Sequence, residues 1–131
     1  MTPAEQMDAV RRFYRACQNG DRAALDEFVS DSVVHSIPGT SAVAGTRVGL
    51  DALLARFAEL FEISGGSLRL ELLHLASDGA DRVIALRMST AAREGRTIRI
   101  TEPVLFTFRA GRIAEIQNFY ADAEAKDEFF G

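Results

Sequence analysis

Apolar residues fall at the even positions between Arg96 and Arg109, so Ile98, Ile100, Val104, Phe106 and Phe108 share one face of a predicted strand. Glu102 falls in line with them. An inward acid demands a reason, because burying a charge is costly. Between Ser32 and Gly39 the same alternation groups Val33 and Ile37 with His35. Two titratable side chains directed inward suggest a small-molecule pocket.

The period is helical at the start of the chain. Thr2, Pro3 and Glu5 supply an N-cap, a first-turn proline and the far half of a capping box. Met7, Val10, Phe13, Tyr14 and Cys17 then recur along one face, until Asn19-Gly20 offers a left-handed stop. Asp21 caps a shorter second helix carrying Leu25, Phe28 and Val29, which Asp31-Ser32 is expected to end. A strand around Val33 to Ile37 stops at Pro38-Gly39, and residues 40–49 read as a Gly- and Ser-containing loop. Gly45-Thr46-Arg47-Val48-Gly49 within it lacks the spacing of a phosphate cradle. Leu50, Leu53, Leu54, Phe57, Leu60 and Phe61 mark a third helix, closed by Gly65-Gly66.

Beyond Ser67 the period becomes two. Strands are predicted near 67–77, 81–93, 96–109 and 112–120, joined at Asp78-Gly79, Glu94-Gly95 and Ala110-Gly111. Leu68, Leu70 and Leu72 share a face that Leu73 and Leu75 do not, which calls for a bulge near Leu72. Phe129-Phe130 end an acidic tail and are expected to dock. The pattern gives an α+β fold, helices first and then a curved, mostly antiparallel sheet, in one domain spanning 1–131.

Composition narrows the function classes. With 47% hydrophobic and 26% charged residues the chain has the balance of an ordinary globular protein, and a net charge of −4 argues against a nucleic-acid partner. No apolar run approaches the ~20 residues of a membrane helix, and no secretory leader pattern opens the chain, so a cytoplasmic protein is expected. Cys17 is alone, which excludes an internal disulfide or a cysteine zinc cage. His35 and His74 lack paired metal-ligand spacing; no metal and no cofactor are expected.

Several stretches carry a resemblance: Tyr14 with Asn19-Gly20-Asp21, His35-Ser36-Ile37-Pro38-Gly39, Ala44-Gly45 with Gly49, Asn118-Phe119-Tyr120-Ala121-Asp122 and Asp127-Glu128-Phe129-Phe130. Together they resemble the nuclear transport factor 2-like superfamily and, within it, the SnoaL-like branch related to polyketide cyclases and ketosteroid isomerases. The resemblance implies a cone-shaped roll of three N-terminal helices on a curved sheet that encloses a pocket, and a homodimer paired through the outer sheet face. It does not fix the reaction, since the superfamily holds isomerases, cyclases, dehydratases, epoxide hydrolases and non-catalytic modules. Ketosteroid isomerases use an aspartate base, a tyrosine and a protonated aspartic acid; the matching positions here carry Ile37, Phe13 and Val104, none of which can do that chemistry. SnoaL-type cyclases resemble the chain more closely and imply a carboxylate acting on an enolisable ketone.

Glu102 and Asp122 both remain candidates for that carboxylate. Pro103 beside Glu102 fits an edge or a bulge, which would turn the acid outward. His35 suits proton transfer at neutral pH, or a backbone-bonded structural role. Asn118 and Tyr120 alternate with Ile116 on the last strand and suit either ligand contact or satisfied core polarity. Tyr14, Ile37, Phe57, Phe61, Val104 and Ile116 complete the expected lining. Arg87, Arg93, Arg99 and Arg109 occupy odd positions of their strands and read as a solvated or subunit-facing surface, as does His74. The chain is thus expected to be a cofactor-free enzyme of cyclase, isomerase or dehydratase type, moving protons on a small hydrophobic carbonyl compound. The alternative is a non-catalytic hydrophobic-ligand-binding or dimerisation module.

Overall fold

The computed structural model describes residues 1–119 and 123–131, so Tyr120 and Asp122 lie outside the described residues. Helix α1 (Pro3–Asn19) opens with the expected capping box: Thr2 accepts from the Glu5 N–H and Glu5 accepts from the Thr2 N–H, while Gly20 closes it at φ 62°. Helix α2 (Arg22–Phe28) is capped by Asp21 and stops three residues earlier than its acidic boundary suggests. Strand β1 (Val29–Ile37) begins at once, with Val29 fully buried. Its Asp31 and Ser32 stay exposed where the pairing with β6 shifts register between Val29 and Val34, so polar residues that read as a helix stop are carried inside a strand by an irregularity.

The expected loop over 40–49 also gains structure. Strand β2 (Gly45–Val48) returns antiparallel to β1, with Ile37 opposite Gly45 and Val34 opposite Val48. It is a short, exposed edge, which explains why no burial period announces it. Helix α3 (Leu50–Ile63) follows, then the strands β3 (Arg69–Ser77), β4 (Arg82–Arg93), β5 (Arg96–Arg109) and β6 (Arg112–Asn118). A fourth helix, α4 (Ala123–Phe130), ends the described chain. Two helices therefore precede the first strand, and α3 comes only after β2.

All six strands form one sheet in the order β2-β1-β6-β5-β4-β3. Every pairing is antiparallel except β1 with β6, which places His35 beside Ile116. The β4–β5 and β5–β6 hairpins turn on Glu94-Gly95 and Ala110-Gly111, with φ 51°, 76°, 52° and 75°, the paired positive values of a two-residue type I′ turn. A register shift between Leu72 and His74 confirms the bulge in β3 and leaves Leu73 and His74 exposed.

The main core joins Val10, Phe13 and Tyr14 of α1 and Leu25 and Phe28 of α2 to Leu53 and Phe57 of α3 over the inner face of the sheet. Phe13 meets Tyr14, Phe57 and Phe106 edge-on at 5.2, 6.1 and 5.4 Å. A smaller cluster gathers Val43, Leu68 and Ala91 under Phe129 and Phe130 of α4, so the aromatic tail docks as its sequence suggests. The candidate site lies where these two clusters approach each other.

Candidate functional site

Strand β1 presents His35 inward, and three neighbours fix its ring. Arg56 of α3, fully buried, donates from Nη1 to the His35 backbone oxygen at 3.0 Å and from Nη2 to that of Gly45 at 2.9 Å; Nη1 also lies 3.4 Å from His35 Nδ1. An arginine has no acceptor, so Nδ1 accepts and the ring proton sits on Nε2, which donates to Asn118 Oδ1 at 3.3 Å. Phe57 stacks on the other side, its plane within 4° of the imidazole. Burial first, and then the Arg56 charge, holds the His35 pKa at about 3, so the ring is neutral at pH 7.

Glu102 is likewise inward, with no exposed surface. Pro103 does not turn it out: its carbonyl accepts from the Phe119 N–H, and in a strand a residue's N–H and C=O point the same way. The proline's missing donor therefore faces the end of β6, and no bond of the β4–β5 ladder is lost. Directly opposite Glu102 on β4 stands Arg87. Glu102 Oε1 accepts from Lys126 Nζ at 3.0 Å and from Ser89 Oγ at 3.2 Å, with Arg87 Nη2 at 3.8 Å. Among the described residues Oε2 has no partner.

These two polar groups flank a cavity lined by His35, Ile37, Phe57, Leu60, Leu68, Leu70, Arg87, Ser89, Asn118, Lys126 and Phe130. Its free volume is only about 20 Å³, room for a single water, and Lys126 and Phe130 of α4 form part of its wall. Of the residues expected to line a pocket, His35, Ile37, Phe57 and Asn118 do so. Glu102 sits behind the wall and meets the cavity through Ser89 and Lys126. Val104 and Ile116 are buried in the main core, Phe61 packs half-buried at its edge, and Tyr14 lies beneath the Arg87 guanidinium, 5.7 Å from its ring centre. Burial pushes the Tyr14 phenol up to about 12.

Arg87 corrects the sequence reading: it is 7% exposed and belongs to the site, not to an outer surface. The signal was present, since Val83, Ala85 and Ala91 make odd positions the inner face of β4 although even positions are inner on β5. Arg56 had a comparable signal, sitting one residue before Phe57 and three after Leu53 on the α3 stripe. Ser89 shares the β4 face, and Lys126 is one helical turn before Phe130. Among the described residues no three His, Cys, Asp or Glu side chains gather to hold a metal, and no helix is long and apolar enough to cross a membrane.

The SnoaL-like domain signature matches residues 10–116. The chain belongs to the SnoaL-like family. The uncharacterized protein Rv0034 of Mycobacterium tuberculosis is 32% identical over 130 residues, covering 99% of each chain. Bal32a, from a soil-derived mobile gene cassette, is 32% identical and superimposes with a TM-score of 0.91 over 98% of both chains. A nuclear transport factor 2-like protein of Burkholderia xenovorans LB400 shares the fold, with a TM-score of 0.81 at 22% identity over 97% of this SnoaL-like chain and 98% of its own.

Proposed function

We propose that this SnoaL-like protein is a cofactor-free enzyme that moves protons on a small hydrophobic carbonyl compound, in a cyclisation, isomerisation or dehydration. The observation that carries the reading is the fully buried Glu102 carboxylate, one oxygen of which gathers Lys126, Ser89 and Arg87 while the other has no partner among the described residues. A carboxylate so placed behind an apolar cavity suits proton exchange with a ligand whose charge develops during the reaction. His35 is held neutral with both ring nitrogens engaged, so its part is to orient Asn118. With Asn118 Oδ1 taken by the imidazole, the amide N–H groups are left to donate to a carbonyl or enolate oxygen. Asp122 stays the alternative carboxylate, and Tyr120, read from its alternation with Ile116, a further donor to the developing oxyanion.

The test is deuterium exchange at the α-carbon of a panel of apolar ketones in heavy water, followed by NMR. The reading expects protein-dependent exchange that falls by about a hundredfold or more in Glu102→Gln. A ketone that binds without exchanging its α-proton sinks it. The mutual hydrogen bonding of His35 with Asn118 and Arg56 favours a second reading, a ligand-binding module without turnover, which predicts that latter outcome.

A further inference from the structure

Lys126 is the only lysine in the chain, and α4 places it on the cavity wall, 5% exposed. Its ammonium lies 3.0 Å from Glu102 Oε1 and 5.1 Å from the centre of the Phe130 ring. Lysine is among the residues least often buried, because its charged head ordinarily finds water at the end of a long flexible stem. Here the stem leads inward, and the amine shares its cavity with Ile37, Phe57, Leu68 and Leu70.

We infer that Lys126 is a covalent capture site, whose Nζ condenses with an aldehyde or ketone of apolar body to form an imine inside the cavity. The amine, having passed a proton to Glu102, attacks the carbonyl carbon; a C–N bond forms as the carbonyl π electrons move onto oxygen. That oxygen takes one proton from the newly charged nitrogen and a second from Glu102, the C–O bond breaks to release water, and a protonated imine is left beside the restored carboxylate. The step consumes no oxidant or reductant. It also conserves charge: an ammonium facing a carboxylate becomes an iminium facing the same carboxylate, so no new charge is buried, and burying one would be the costly event. The free volume holds only a single water, so entry of the ligand requires α4, which carries Lys126 and Phe130, to shift outward; the apolar walls would then meet the body of the ligand and exclude the water that reverses the condensation. Burial, reinforced by the like charge of Arg87 and opposed by Glu102, lowers the Lys126 pKa, which enlarges the fraction of nucleophilic amine at neutral pH.

The inference rests on the cavity assigned above as the ligand site, but its test reads a covalent bond rather than turnover, so either proposal can fail alone. The full chain is incubated at pH 7 with hexanal and cyanoborohydride, which fixes imines as secondary amines, and the products are located by peptide mapping. Besides Lys126 the only other amine is the α-amine of Met1, which serves as an internal standard. The expected result is labelling of Lys126 in the folded protein, with a Lys126-to-Met1 ratio at least about tenfold higher than in guanidinium-unfolded chain, where the lysine regains its ordinary basicity. A ratio equal or lower in the folded protein overturns the proposal. Labelling of folded Lys126 by formaldehyde but not by hexanal also overturns it, since the amine would then be accessible without a site for an apolar carbonyl compound.

Discussion

Glu102 and Arg87 stand directly opposite each other on β5 and β4, both buried and both on the face of the sheet that looks toward the cavity. Cross-strand position alone would bring their side chains together, and Lys126 then arrives from α4 to complete the charge cluster.

Breaking that cluster on one side is expected to cost more than removing both sides. Glu102→Leu, which leaves two buried cations without their shared carboxylate, should destabilise the fold by about 3 kcal/mol, and adding Lys126→Met should recover part of the loss. Guanidinium denaturation of the two single variants and the double variant gives the coupling. Purely additive losses would show that the two groups do not interact energetically.

His35 makes the fold sensitive to mild acid. Its folded pKa of about 3 lies below the ordinary value, so between pH 6.5 and 3 the unfolded chain binds a proton that the folded protein does not. Stability is fully present above pH 6.5 and falls as the pH is lowered through that window. The loss reaches about 3 kcal/mol at pH 4.5 from this one residue. His35→Gln should be less stable at pH 7 yet flatter between pH 7 and 4.5, as measured by urea unfolding at several pH values. A wild-type slope shared by the variant would refute the assignment.

Gly39 and Asp127 form the latch of α4. Asp127 Oδ1 accepts from the Thr40 and Ser41 N–H groups at 2.9 and 3.0 Å, bonds that hold its carboxyl below the ordinary carboxylate value. Gly39 sits at φ 109°, where a Cβ would be strained and would collide with the Asp127 carboxylate. Gly39→Ala is expected to cost about 1 kcal/mol or more and to speed hydrogen exchange selectively in residues 123–130. Exchange that rises uniformly over the whole chain would mean that the latch does not act on α4.

A dimer through the outer face of the sheet is the expected assembly. That face carries Ile84, 45% exposed, opposite Leu105, and the neighbouring pair Leu86 and Pro103, with Phe119 41% exposed near the end of β6. Sedimentation velocity should give a dimer for the wild type and a monomer for Ile84→Lys, with the far-ultraviolet spectrum unchanged. A wild-type monomer at micromolar concentration would remove the proposal.

Much of the fold was legible because its signals are local. The capping box at Thr2 and Glu5, the left-handed Gly20, the two type I′ turns and the bulge near Leu72 each depend on a few adjacent residues. What escaped was relational. The partner of β1 is β6, so neither the start of β1 at Val29 nor its irregular stretch over Ser30, Asp31 and Ser32 is marked nearby. The pocket was half visible for the same reason. His35 and Glu102 announce themselves against their own strands, whereas Arg87 is recognised only once the inner face of β4 is set by Val83 and Ala85 rather than by analogy with β5. Arg56 and Lys126 join the site only when the groups they meet, the backbone of β1 and the carboxylate of β5, are brought to them.

The parallel pairing of β1 with β6 also governs when the molecule can become whole. His35 waits for Asn118, a residue 83 positions further along the chain, and until β6 inserts, both β1 and β5 present unpaired edges. During synthesis the first hairpin therefore emerges long before its sheet partner, and contacts of such long sequence separation form slowly. A chain interrupted before β6 would expose two strand edges that invite pairing with other chains. The cavity is thus a late product of folding, assembled when the last strand and the last helix close over residues made at the beginning.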